Sequence, residues 1–170
     1  MPLTVALGPI NNLLTIVRHF RRIQESGLLP CSWGITIVRL LVVQDNADLG
    51  RIWCRFLARQ GVWADLAVSE EIALDFLTKY RYDVLVIEPD LEGGGGLPVT
   101  DFATFRNPKI SILAVTRSTF FSESMIFDVI PNACGLLRTP VSPGDLAAYV
   151  EYFDAKAHRA DIDSEKTLEL

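Results

Sequence analysis

The chain alternates short, strongly apolar runs with longer stretches in which apolar residues recur at helical spacing. Short runs rich in Val, Ile and Leu are typical of buried parallel strands. They predict strands at residues 38–43, 62–68, 83–88, 109–116 and 134–137. The intervening stretches predict helices at residues 47–60, from 69 onward, and at 98–105, 118–130 and 142–157.

This alternation of strands and helices favours right-handed crossovers and a parallel sheet that is covered on both faces. We therefore predict a flavodoxin-like α/β/α sandwich whose five strands are ordered 2-1-3-4-5. In such a sheet the functional site lies at the carboxyl ends of strands one and three, where the strand order reverses. The residues at this edge are Gln44, Asp45 and Glu88.

Composition narrows the classes of function. The 170 residues carry a net charge of -5, which gives no electrostatic reason to bind nucleic acid. No apolar run reaches the ~18 residues of a membrane span, so we do not expect a membrane protein. Three widely spaced cysteines without CxxC spacing predict reduced thiols and a cytoplasmic location, with no disulfide framework or zinc site: Cys31, Cys54 and Cys134.

The ends of the other strands carry residues in a recognisable order. Beyond the edge already named, these are Gly93 and Gly96 in the loop after strand three, Thr116 ending strand four, and Thr139-Pro140 after strand five. In order and spacing they resemble the response-regulator receiver (CheY-like) domains. The resemblance implies two acids that hold a divalent cation, an Asp that accepts a phosphoryl group, and a hydroxyl and a Lys that bind its oxygens.

Three positions depart from that pattern. Gln44 stands beside Asp45 where the family has two acids, Glu88 stands at the phosphoacceptor position, and Thr139 stands at the Lys position. Gln44 removes a negative ligand, and Thr139 cannot supply an ammonium group. We therefore expect an atypical receiver of bacterial two-component signalling that acts by protein contacts. We expect no enzyme activity, no catalytic residue and no cofactor. Asp45 and Glu88 are expected to be at most weak ligands of Mg²⁺.

Two interpretations of Glu88 stay open. It mimics a phosphorylated Asp and holds Thr116 in an active-like state, or it is a remnant that is hydrogen-bonded to Thr116. Asp90, two residues past strand three, is expected to be a solvated loop acid. The alternatives are a phosphorylation-competent single-domain response regulator that uses Glu88 or Asp90, and a nucleotide- or flavin-binding protein that uses the Gly93–Gly96 loop.

The predicted fourth helix is apolar nearly all round, so at least one of Phe120 and Phe127 must face outward. With the usual output face of the family, this gives a candidate partner surface made of Phe120, Phe121, Met125, Phe127 and Leu136. The expected partner is a histidine kinase, a phosphotransfer protein or a downstream effector. A homodimer on this surface stays open.

The predicted organisation has three parts. Residues 1–36 form an extension with one amphipathic helix near 10–25, residues 37–157 form the receiver-like domain, and residues 158–170 form a polar tail. The short tail leads us to expect a stand-alone domain without a DNA-binding output domain.

Overall fold

Alternating strands and helices build the part of the chain that the computed structural model describes, residues 38–153. Strands β1 to β5 span Arg39–Val43, Trp63–Ala67, Val84–Ile87, Ser111–Thr116 and Ala133–Arg138. Helices α1 to α4 span Ala47–Arg59, Glu70–Lys79, Gly96–Arg106 and Glu123–Val129, and α5 covers residues 143–153. The predicted extension, its helix and the tail lie outside the described residues.

The five strands form one parallel sheet in the order β2-β1-β3-β4-β5. The predicted flavodoxin-like fold and strand order are therefore confirmed. The interior strands β1 and β3 are almost wholly buried because their side chains meet a helical layer on each face. None of the described helices is long and apolar enough to cross a membrane.

Alternate residues of the strands face two separate apolar layers. One layer joins Leu41 and Leu85 of the sheet to α2, α3 and α4, and the other joins Leu40 and Val84 to α1 and α5. Trp53 of α1 is the largest wholly buried side chain. The sheet is thus held on both faces, and its carboxyl edge is fixed in position by these layers.

The fourth helix differs from its prediction. It begins at Glu123 instead of residue 118, because the Ser122 hydroxyl accepts a hydrogen bond from the Met125 N–H and caps the helix. Phe120 and Phe121 therefore belong to the loop that precedes α4. The apolar pattern had suggested a helix there, but serine side chains that bind nearby backbone groups compete with helix formation.

Candidate functional site at the carboxyl edge of the sheet

Strand register brings the predicted site residues to one edge. Val43 of β1 pairs with Ile87 of β3, and the Glu88 N–H donates to the Val43 carbonyl at 3.0 Å, so Gln44 and Glu88 follow side by side. Thr116 ends the neighbouring strand, β4. The edge is a row of polar residues at the end of an apolar sheet.

Glu88 and Gln44 are both buried with part of their hydrogen-bonding capacity unused. Glu88 is 2% exposed, and its Oε1 accepts from the Asp90 N–H at 3.4 Å, whereas its Oε2 has no hydrogen-bond partner. Gln44 is 1% exposed; its Oε1 accepts from the Asn46 N–H at 3.1 Å, and its Nε2 has no partner. Such groups cost free energy, because burial removes water without supplying a replacement bond.

The Thr116 hydroxyl turns toward the loop after β4. Its Oγ1 accepts from the Ser118 N–H at 3.0 Å. The hydrogen bond to Thr116 that one interpretation of Glu88 included is not formed: within residues 38–153 the Glu88 oxygens have only the Asp90 N–H as a partner. Thr116 is wholly buried, and its hydroxyl group binds the backbone of the loop that follows β4.

Thr139 stands at the position where the resemblance predicts a Lys. The Thr139 N–H and hydroxyl donate to the Thr116 carbonyl at 3.0 and 3.4 Å. The two lysines of residues 38–153 are Lys79, which pairs with Asp75, and Lys109, which precedes the amino end of β4. Within the described range, this edge therefore has no ammonium group.

Asp45 already has a cation. The Arg117 Nη2 lies 3.3 and 3.4 Å from the two carboxylate oxygens of Asp45, and joins the loop after β4 to the loop after β1. The resemblance to receiver domains implies a divalent cation held by acids at this edge. Gln44 is an amide, Asp45 is paired with Arg117, and residues 38–153 contain no group of three or more potential metal-ligating side chains. These residues do not fit a divalent metal site.

The glycine-rich loop has a structural explanation. Gly93 and Gly94 adopt φ values of 92° and 81°, which a residue with a side chain rarely takes. At Gly96, an added Cβ would collide with the Pro89 carbonyl. The glycines let the chain turn tightly from β3 into α3. A cleft of about 240 Å³ lies elsewhere, at the amino end of β3 and β4 between Tyr82 and Ile110.

The candidate partner residues divide by exposure. Phe120 and Phe127 are 72% and 51% exposed, whereas Phe121 is buried and meets the Phe120 ring edge-to-face with centroids 5.3 Å apart. Met125 and Leu136 are half-buried and pack on the core. Both phenylalanines of the predicted outward pair thus face solvent.

The sequence-based prediction of the site included neither Arg117 nor Arg138. Arg138, at the end of β5, donates to the carbonyls of Ser118 and Phe121 at 2.7 and 2.6 Å. Its guanidinium group is therefore hydrogen-bonded to the loop between β4 and α4. The sequence did place Arg117 directly after β4 and Arg138 at the end of the adjacent β5. The hydrogen-bond partners of the two arginines could not be predicted from their spacing.

Comparison with known proteins shows that the fold is similar to that of receiver domains of solved structure. A CheY-like response-regulator receiver domain from Methanospirillum hungatei superposes with a TM-score of 0.66 at 16% identity, covering 74% of this chain and 99% of that one. The chemotaxis protein CheY4 of Vibrio cholerae gives 0.62 at 20% identity, with 69% and 99% covered.

A third solved structure carries a modified site. It is a response regulator from Burkholderia pseudomallei with a phosphorylated aspartic acid, a calcium ion and citrate, and it gives 0.60 at 20% identity over 78% of this chain and 74% of that one. No protein-family model and no curated protein sequence matches the chain. The structural likeness shows that the chain has the fold of receiver domains.

Proposed function

We propose that the chain is a receiver-type module of two-component signal transduction that acts through protein contacts, without conventional phosphorylation. The fold shared with CheY-like receiver domains supports the first part. One observation carries the second part: the buried Glu88 carboxyl group makes no ion pair with any described residue, and its Oε2 has no hydrogen-bond partner. Within residues 38–153, phosphoryl chemistry at that position therefore has no paired cation to support it.

The chemistry explains why the missing cation matters. In phosphoryl transfer to a carboxylate, charge on the transferred oxygens must be neutralised by metal ions, lysines or arginines. Here Asp45 is bound to Arg117, and Thr139 offers a hydroxyl that donates to the Thr116 carbonyl. Glu88 is also only 2% exposed, which restricts the approach of a phosphodonor. Neither the nucleophile nor its electrostatic support favours the reaction.

A phosphorylation-competent receiver is the second candidate, because Asp90 is exposed and adjoins the site. Asp90 lies two residues past the buried Glu88, and its N–H donates to Glu88 Oε1. An exposed acid can reach a phosphodonor that Glu88 cannot. Arg117 is occupied with Asp45, however, so Asp90 would also need a cation from another source.

The test is incubation of the full chain with acetyl phosphate and Mg²⁺, followed by intact-mass spectrometry. We expect no acyl phosphate, alongside a conventional response regulator that is modified in the same buffer. A stoichiometric acyl phosphate would contradict the proposal. Loss of that signal in Asp90→Asn, with retention in Glu88→Gln, would identify the second candidate.

A rebuilt site gives the complementary result. The variant with Gln44→Asp, Glu88→Asp and Thr139→Lys restores the groups that the family pattern requires. We expect it to remain inert until Arg117→Ala is added, because Arg117 competes with Mg²⁺ for Asp45. Labelling of the quadruple variant but not of the triple variant would support this order of obstacles. Equal labelling of both would show that Arg117 is no obstacle.

The exposed rings support the protein-contact part of the proposal. Phe120 and Phe127 leave large apolar groups in solvent on one side of the sheet, near α4. The proposed partner is a protein of the same signalling class: a histidine kinase, a phosphotransfer protein or a downstream effector.

Glu88→Ala and Glu88→Gln separate the two interpretations of Glu88, since only a phospho-mimic would change partner affinity when replaced.

A further inference from the structure

The β4–α4 loop, residues 117–122, is organised by the hydroxyl groups of Thr116, Ser118 and Ser122. The Ser118 N–H donates to Thr116 Oγ1, and the Phe120 N–H donates to Ser118 Oγ at 3.1 Å. Ser122 then caps α4. These short-range bonds fix the direction of each residue in turn. They do not by themselves tie the loop to the rest of the domain.

Arg138 ties the loop to β5. Its Nη1 donates to the Ser118 carbonyl at 2.7 Å and its Nη2 to the Phe121 carbonyl at 2.6 Å. A planar guanidinium group can hold two acceptors at once in a fixed geometry, and bonds from a charged donor are stronger than neutral ones. The two carbonyls stand on either side of Phe120. Arg138 therefore fixes the segment that carries this exposed ring.

Arg117 ties the same loop to the loop that follows β1. Its guanidinium lies 3.3 and 3.4 Å from the Asp45 oxygens, with 57% of the Arg117 side chain and 13% of the Asp45 side chain exposed. Both arginines are exposed, but the Arg117 pair is longer than the contacts of Arg138, so it is the weaker anchor. The loop is nevertheless held at two points, by Arg138 at the end of β5 and by the pair of its own Arg117 with Asp45.

We propose that Arg138 and Arg117 form a cationic latch that holds the β4–α4 loop in one conformation without any phosphoryl group. The inference deepens the proposed function and rests on it: a receiver that is not phosphorylated needs another means of setting this loop. The latch keeps Phe121 in the core and Phe120 in solvent. The loop conformation is then a constant property of the chain, and release requires that the arginine contacts break.

Amide hydrogen exchange of the full chain, measured by NMR, tests the latch. The reporters are the Ser118 and Phe120 N–H groups, and the reference is the Glu88 N–H in the sheet. In Arg138→Met, we expect both reporters to exchange about tenfold faster or more, at an unchanged reference rate, because two charge-assisted bonds are removed. Arg117→Met should give a smaller change in the same direction.

The controls separate a latch from a general effect on stability. Arg51→Met removes an arginine of similar exposure that pairs with Asp48 at 2.9 Å on α1, and it should leave the reporters unchanged. Arg138→Lys keeps the charge but cannot span both carbonyls, so intermediate rates are expected; it decides the question by the same criterion if Arg138→Met does not fold.

Unchanged reporters in the Arg138 variants would overturn the latch, as would equal acceleration of reporters and reference. An acyl phosphate on the native chain would instead overturn the proposed function. The two failures are thus read from different measurements.

Discussion

The two ends of the sheet treat their polar groups differently. At the amino end, the Arg39 N–H donates to Asp83 at 2.9 Å, the Tyr82 hydroxyl donates to Asp65 at 2.9 Å, and Asn107 Nδ2 donates to the Tyr82 carbonyl at 2.8 Å. At the carboxyl end, Gln44 and Glu88 are buried, and Gln44 Nε2 and Glu88 Oε2 have no hydrogen-bond partner. The amino end carries polar groups that stabilise the fold.

The half-buried Arg39 guanidinium group shows how the amino end stabilises a charge. Its carbon lies 5.7, 5.0 and 5.5 Å from the ring centroids of Trp63, Tyr80 and Tyr82. Nε has no hydrogen-bond partner, but the aromatic rings attract the cation electrostatically. Among the described residues, no aromatic ring or cation compensates Glu88 in this way, and its Oε2 has no hydrogen-bond partner. The carboxyl end therefore carries buried polar groups whose cost is not offset by their neighbours.

The largest expected effect is at Asn107, which closes α3 and joins it to β3. Asn107→Leu removes the bond to the Tyr82 carbonyl and the acceptor for Arg81 and for the Lys109 N–H. Because a buried carbonyl loses its donor, we expect the free energy of unfolding in urea to fall by about 3 kcal/mol. The matched variant is Asn46→Ala at the exposed cap of α1, which should cost about 1 kcal/mol. A smaller loss at Asn107 than at Asn46 would contradict the comparison.

The next effect is a loss of stability at alkaline pH. Burial, and then the negative Asp65, raise the pKa of Cys54 to about 12, and the same two causes raise the pKa of Tyr82. The unfolded thiol ionises near its ordinary value of 9.0, so the stability contributed by protonated Cys54 is complete below that pH and is lost as the pH rises toward 12.

Cys54→Ala isolates this contribution. We expect the free energy of unfolding of the native chain to fall by about 2 kcal/mol more than that of Cys54→Ala between about pH 8 and pH 10.5. Denaturant titrations at several pH values measure it, and titrations between about pH 6 and pH 8 are the control, where the two slopes should agree. Parallel curves up to pH 10.5 would show that the thiol ionises freely in the folded chain.

The carboxyl end should respond in the opposite direction. Glu88→Met replaces the unpartnered carboxyl group by an apolar side chain of similar volume and removes only the 3.4 Å bond from the Asp90 N–H. We expect the free energy of unfolding to rise by about 1 kcal/mol, because a buried polar group without a full set of partners is removed. Glu92→Met on the exposed loop is the control and should change little. Destabilisation by Glu88→Met would mean that Glu88 has a partner in solution.

Much of the fold could be predicted because burial on both faces leaves a direct mark on the sequence. Residues 84–87 are continuously apolar and form β3, and the residues after each strand fell at one edge because parallel strands share a direction. The bounds of α4 were wrong because Phe120 and Phe121 continue an apolar pattern that Ser122 interrupts by capping. Hydrophobic periodicity does not register such a local competition between side chain and backbone.

The contacts within the site could be predicted less well, for a different reason. Arg117 and Asp45 are 72 residues apart, and Arg138 reaches carbonyls 17 and 20 residues earlier in the chain. Which cation meets which acceptor depends on loop paths and rotamers, and neither leaves a periodic mark. Residue type alone indicated what Gln44 and Thr139 could not do. Residue type did not indicate that Arg117 would form an ion pair with Asp45.

The smallest effect should come from that last pair, and it distinguishes the two anchors of the latch. A double-mutant cycle with Asp45→Asn and Arg117→Met should give a coupling energy of about 0.5 kcal/mol in urea unfolding, since the arginine is largely solvated. Because solvated charges are screened by ions, the coupling should fall toward zero in about 1 M NaCl. The Arg51–Asp48 pair on α1 provides the matched cycle and should behave alike. A coupling that is several times larger and insensitive to salt would make Arg117 the principal anchor and Arg138 the secondary one.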